Sequence, residues 1–203
     1  MTHAWLITGP PGSGRSTAAL AFAAALVCPQ GGCGHCAECV AVRHSAHVDV
    51  EHVVPESVTY AVAETRELVM RSAMAPSRAP WHVFVLEDAD RLNAESANTL
   101  LKSIEEPTPG TVWVLCAPST EDVLPTIRSR CRHLMLATPS TAQVAQALVD
   151  VLGVDPAMAS FAAGRWLEAA GGVRLAIAFD PWNEIYKEQF GGVQRKAHEE
   201  RAK

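Results

Sequence analysis

Trp5-Leu6-Ile7-Thr8-Gly9-Pro10-Pro11-Gly12-Ser13-Gly14-Arg15-Ser16-Thr17-Ala18-Ala19-Leu20 decides the fold. A short apolar run leads into a glycine-rich loop, and the loop leads into Thr17 to Val27, which has the composition of a buried helix. Strand, glycine loop and helix in that order form a P-loop context. Gly9 and Gly14 are expected to take backbone angles closed to other residues, turning successive N–H groups inward around a phosphate at the positive end of the helix. The stretch Gly9 to Ser16 fits the nucleotide-binding spacing at every position but one, Arg15, where the pattern asks for lysine. Arginine keeps the charge, but its planar fork is bulkier than an ammonium. The reading is a site for ATP and Mg2+ formed by Gly9, Pro10, Pro11, Gly12, Ser13, Gly14, Arg15, Ser16 and Thr17, with impaired catalysis. A glycine-rich turn without a ligand is the alternative.

The chain has 203 residues, 48% of them hydrophobic and 19% charged, the balance of a globular protein with a real core. Its longest apolar run, Ala18 to Val27, is too short to cross a bilayer. No signal peptide is read at the start, so the expected compartment is the cytoplasm. A net charge of -5 argues against holding nucleic acid by an overall positive field.

Four of the six cysteines cluster as Cys28-x4-Cys33-x2-Cys36-x2-Cys39, with Gly32 and Gly34 allowing tight turns beside Cys33. In a reducing compartment this is a metal site before it is a disulfide framework. Four thiolates complete the tetrahedral shell of Zn2+ and leave no open position, so the site is structural. An iron–sulfur cluster is the rival, but a further Cys-Pro downstream of Cys39 is absent. His35, His44 and His47 are substitute ligands or, more simply, surface histidines; Cys116 and Cys131 are read as packing residues.

Val48 to Val54 alternates like a strand, and Val62 to Met74 reads as a surface helix. His82-Val83-Phe84-Val85-Leu86-Glu87-Asp88 has the apolar run and acidic tip of a central parallel strand facing a metal–phosphate site. Glu87 and Asp88 are therefore the candidate catalytic carboxylates. They stand in the reverse of the order found in active motors; the exchange moves each by about 1.5 Å, an error that costs on the order of a hundredfold in rate. Asn93 to Ile104 reads as a helix stopped at Glu105-Glu106-Pro107, and Thr111 to Cys116 as another buried strand. Its tip, where a Thr or Asn would sense the terminal phosphate, carries Ala117-Pro118.

The order of Gly9 to Ser16, the four-cysteine insert, Asn98 to Pro107 and Ser129-Arg130-Cys131 resembles the AAA+ subunits of bacterial clamp loaders over about residues 1–155. Within them the resemblance is to the delta-prime subunits of DNA polymerase III, in an actinobacterial style. It implies an α/β P-loop AAA+ domain with a central parallel sheet over 1–138, a zinc module at 28–39 and a small helical lid domain over 139–179. A helix and charged tail at 180–203 complete the reading. It also implies that Arg130 reaches the ATP of a neighbouring subunit as an arginine finger, and that Arg174 falls near a second nucleotide-sensing arginine. The implied partners are the gamma/tau and delta subunits, the sliding clamp and primed DNA through the complex, with no membrane. The implied function is loading the sliding clamp as part of a nucleotidyltransferase holoenzyme, with weak or absent ATPase. Against the family pattern, the chain reads as truncated at both ends, lacking the adenine-contacting segment and the collar. The alternatives are the ATP-hydrolysing gamma/tau motor and, from other classes, a P-loop kinase or a free-standing zinc-binding module.

Overall fold

The computed structural model describes residues 3–169, and the side chains of residues 147, 151, 152 and 165–169 are not described. The chain divides into two compact units, residues 1–137 and 138–203. The first is an α/β unit built on five strands, all parallel: β1 (Ala4–Thr8), β2 (Val50–Val53), β3 (His82–Leu86), β4 (Thr111–Ala117) and β5 (Arg132–Met135). Their order is β2-β3-β4-β1-β5. The central strands β3 and β4 are buried throughout, as their unbroken apolar runs require when both faces are covered.

Helix α1 (Arg15–Val27) contacts β1, β3 and β4. It buries Ala19, Ala23, Ala24 and Val27, small side chains that let its backbone approach the sheet closely. Beyond it lies α2 (Ala37–Arg43). The other face is covered by α3 (Val62–Ser72) and α4 (Ala94–Glu105). There Leu6, Phe84, Leu86, Trp113 and Leu115 form one core with Leu68, Ala97, Leu100 and Ile104. Trp113 stacks on Phe84 at 4.7 Å, and its indole N–H donates to the Ser103 carbonyl at 3.1 Å. Asn93 caps α4 by accepting the Ser96 N–H at 2.9 Å. A short α5 (Pro125–Arg128) leads into β5, an exposed edge strand. The strand read over Val48 to Val54 is only Val50–Val53: before it the chain turns at exposed Val48, with His47 and Asp49 buried on either side and the Asp49 N–H donating to His47 Nδ1 at 3.0 Å.

Asp49 fixes the approach to β3. Its buried carboxylate accepts the N–H groups of Ser77, Arg78 and Ala79 at 2.5, 2.7 and 2.8 Å. Burial alone would raise its pKa, but the three amides outweigh burial and hold it below the ordinary carboxylate value. A depressed folded-state pKa contributes stability that is present above the unfolded value, about 3.9, and is lost as pH falls through the folded value. Asp49→Asn is expected to lower stability by roughly 2–3 kcal/mol at neutral pH, by leaving buried amides poorly matched. In urea unfolding the gap to the parent protein should close as pH drops through the carboxylate range. A gap independent of pH would assign the effect to packing instead.

The second unit contains α6 (Thr141–Leu152) and α7 (Pro156–Ala169). Ser140 and Gln143 form a reciprocal cap at the start of α6, and Gly153 ends it in the left-handed region at φ 64°. Val144 and Leu148 pack with Ala159 and Ala163, while Met158 and Phe161 are exposed. Arg174 and the stretch 180–203 lie outside the described residues. Among the described residues, no helix is long and apolar enough to cross a membrane.

Candidate functional site: a P-loop, a four-cysteine module and Arg130

The loop between β1 and α1 sits at the carboxyl end of the sheet, where parallel α/β folds place ligands. Gly12 and Gly14 adopt φ of 83° and 79°. Gly9 does not share this conformation, contrary to the sequence expectation. Its constraint is contact: a Cβ there would overlap the Ser13 side chain and stand 3.0 Å from the Leu136 carbonyl oxygen. The Ser13 N–H donates to the Pro10 carbonyl at 3.0 Å, and the Ser13 hydroxyl is buried with no hydrogen-bond partner among the described residues. Pro10 and Pro11 are exposed, and Thr17 follows in the first turn of α1.

Arg15 bends back over the loop. Nη1 donates to the Gly9 carbonyl at 2.9 Å, and Nη2 lies 3.5 Å from Asp88 Oδ1. Asp88 also faces Arg91 at 3.4 Å and holds a left-handed backbone, φ 46°, unusual for a residue with a side chain. Glu87 is turned the other way: the Ser16 hydroxyl donates to Oε2 at 2.8 Å, and His52 Nε2 lies 3.2 Å from Oε1. The Tyr60 hydroxyl supports this strand end by donating to the Glu87 carbonyl at 2.6 Å. The structure thus brings together the loop, Ser16 and both acids, and splits the acids between two environments. Ser16 and Glu87 form the hydroxyl–carboxylate pair suited to a hydrated divalent cation, whereas Asp88 is paired with Arg15 and Arg91. Between these tips β4 ends at buried Ala117, which offers no side-chain donor to a phosphate. Burial and the nearby Glu87 charge push the Cys116 thiol well up, so it stays protonated and packs.

Cys28, Cys33, Cys36 and Cys39 converge so that their sulfurs all lie within 4.8 Å of one another. Cys28 Sγ is 3.7 Å from Cys33 Sγ and 3.6 Å from Cys36 Sγ. Tetrahedral Zn2+ with bonds of about 2.3 Å spaces its sulfurs about 3.8 Å apart, so the cluster fits this ion. Gly32 and Gly34 take φ of 97° and 82°, turning the chain around Cys33. Amides point at sulfur, Gln30 to Cys28 at 3.3 Å and Cys39 to Cys36 at 3.4 Å. Burial pushes the Cys28 thiol up, but amides of Cys33, Gly32 and Gln30 pull harder and hold it at about 6; Cys36 and Cys39 are pushed up, chiefly by burial.

The expectation that His47 lies at the surface is wrong. Its ring is buried, bonded to the Asp49 amide and 2.8 Å from Glu38 of α2 through Nε2. Arg78 takes the other Glu38 oxygen at 2.8 Å. Glu38 therefore ties the cysteine module to the loop that Asp49 holds. His35 and His44 are exposed.

Arg130 stands apart from the P-loop, at the end of α5. Its Nε is 2.6 Å from Glu105 Oε1, and Nη1 donates to the Thr126 carbonyl at 2.7 Å and to the Ser129 hydroxyl at 3.3 Å. Sequence reasoning missed His52, Tyr60, Arg91 and Glu105. For His52 the only signal is its place near the carboxyl end of a strand beside the acidic one.

A family model described as DNA polymerase III, delta subunit, matches residues 1–140. The chain is 35% identical over 138 residues to the DNA polymerase III subunit gamma/tau of Mycobacterium tuberculosis H37Rv, covering 66% of this chain and 24% of that protein. It is 34% identical over 163 residues to the DNA polymerase III subunit delta' of Pseudomonas aeruginosa, covering 77% of this chain and 50% of that one. The chain thus spans half or less of the length of these relatives. Among solved structures, a gamma-subunit-related protein of Thermotoga maritima aligns with TM-score 0.53 and 18% identity, covering 81% of this chain and 47% of the other; that likeness concerns the fold.

Proposed function

The chain belongs to the DNA polymerase III, delta subunit family, and on that premise we propose that it is a clamp-loader subunit, the stationary, delta-prime-type member of the loader. In this reading it assembles in the cytoplasm with gamma/tau and delta subunits, helps open the sliding clamp for primed DNA, and turns over little or no ATP itself. Arg130 is its contribution to a neighbour's ATP, a guanidinium that steadies charge developing on the transferred phosphate. Arg174 as a second nucleotide-sensing arginine belongs to the same proposal. So do the boundaries: an AAA+ domain over 1–138, a lid over 139–179 and a tail over 180–203.

The observation that carries this reading is Arg15. The side chain that should reach toward phosphate instead bonds the loop's own Gly9 carbonyl and faces Asp88. A nucleotide entering the loop would have to displace that cation from both partners, and Asp88 would gain a free charge beside the phosphates. Zn2+ in the Cys28, Cys33, Cys36 and Cys39 cluster would supply a rigid cross-link and no reaction chemistry.

One observation favours the gamma/tau motor as a second reading. Ser16 and Glu87 keep a geometry suited to a magnesium-bound nucleotide, and the mycobacterial relative of 35% identity is a gamma/tau subunit. Equilibrium titration with ATP·Mg2+ separates the two. The stationary reading expects no saturation of the isolated protein below about millimolar nucleotide, a loss of roughly 4 kcal/mol against a micromolar site. Saturable micromolar binding would favour the motor.

A further inference from the structure

We infer that Glu105 is the positioning residue for Arg130: the two form a clamp that aims one edge of the guanidinium away from its own chain. The inference rests on the finger reading of Arg130 given above. Arginine carries five N–H donors in a rigid planar fork, so fixing one edge fixes the direction of the other. Here Nε and Nη1 lie against the protein. Nε stands 2.6 Å from Glu105 Oε1, its N–H not aimed along the contact, so this is an ion pair rather than a hydrogen bond. Nη1 donates to the Thr126 carbonyl and the Ser129 hydroxyl. Nη2 has no partner among the described residues, and its two donors are the ones left for an acceptor outside the chain.

The fold supplies this clamp from two elements. Glu105 is the last residue of α4, whose apolar face is pinned in the core by Ala97, Leu100 and Ile104. Thr126 and Ser129 lie within and just after α5, which is anchored by the fully buried Ile127. Two rigid anchors meeting on one flexible side chain are a means of orientation rather than of stability. The side chains of Arg130 and Glu105 are 32% and 45% exposed, and pairs this exposed contribute little to folding. Orientation matters more for a finger: a guanidinium pre-set along one axis needs no reorganisation when the neighbour's phosphate develops charge.

A carboxylate so close also lowers the field that the guanidinium presents. The two effects oppose each other, and replacing Glu105 by glutamine distinguishes them. The experiment measures steady-state ATP turnover by the loader assembled from this protein, the motor and delta subunits, the sliding clamp and primed DNA. The chain is wild type, Glu105→Gln, Arg130→Ala or the double variant. Glu105→Gln is expected to lower kcat about three- to tenfold, with KM for ATP within about twofold, the signature of misplaced transition-state contact. Added to Arg130→Ala it should change nothing, and the melting temperature should not move. Unchanged or faster turnover in Glu105→Gln overturns the inference, as does an equal loss with and without Arg130. An inert Arg130→Ala would instead remove the finger reading, and this inference with it. Should the glutamine variant fail to assemble, Glu105→Asp decides: a loss that disappears on the Arg130→Ala background supports the clamp, and wild-type turnover refutes it.

Discussion

Arg130→Ala is expected to lower turnover at the neighbouring ATP site by about a thousandfold or more, the range in which fingers supplied in trans act. Arg130 contacts Glu105, Thr126 and Ser129 at the protein surface, so its loss leaves the core around Trp113 and Ile127 intact. The loss should therefore appear in phosphate release by the assembled loader and not in the melting curve of this chain. The response of the chain's own P-loop to nucleotide should match that of the parent protein, because the described partners of Arg130 include no residue of Gly9 to Thr17. Loss of assembly together with loss of turnover would instead make Arg130 an interface residue.

Replacing Cys33 and Cys36 by serine is the second change with a large expected effect. Bound zinc should fall from one ion per chain to none, measured by elemental analysis. Structural zinc sites bind with roughly 10–16 kcal/mol, so little of the loop from Cys28 to Cys39 should hold its form without the ion. The consequence spreads through Glu38, which connects α2 to His47 and Arg78. The 77–79 loop should loosen too, visible as faster amide exchange at Ser77, Arg78 and Ala79. Stoichiometric metal retained by the doubly substituted chain would show that the ligands have been misassigned.

The fold was legible from its apolar runs because a parallel sheet covered on both faces leaves little else in its strands. Val83 to Leu86 and Val112 to Cys116 are buried without interruption, so no alternation was needed to find them. The cysteine module was legible for a related reason: four thiols within twelve residues, with glycines to turn the chain, have few other uses. What escaped was set by tertiary neighbours. Nothing local distinguishes Gly9, which is required for contact, from Gly12, which is required for its backbone angle. His47 reads as a surface histidine until Asp49 and Glu38 close over it. His52 and Glu105 sit 35 and 25 positions from Glu87 and Arg130, beyond the reach of any periodicity.

The splitting of Glu87 from Asp88 could not be read from their order alone. Sequence gives two adjacent acids; the left-handed backbone at Asp88 sends one toward Arg15 and Arg91 and leaves the other with Ser16 and His52. That separation explains how a loop can keep a magnesium-type pair yet lack a carboxylate free to polarise water.

ATP hydrolysis by the purified protein, measured alone and then within the assembled loader, tests the central claim most directly. A stationary subunit should release no phosphate above background by itself, while the assembled loader hydrolyses ATP in a manner that depends on Arg130. Brisk hydrolysis by the protein alone, abolished by Asp88→Ala, would contradict the account.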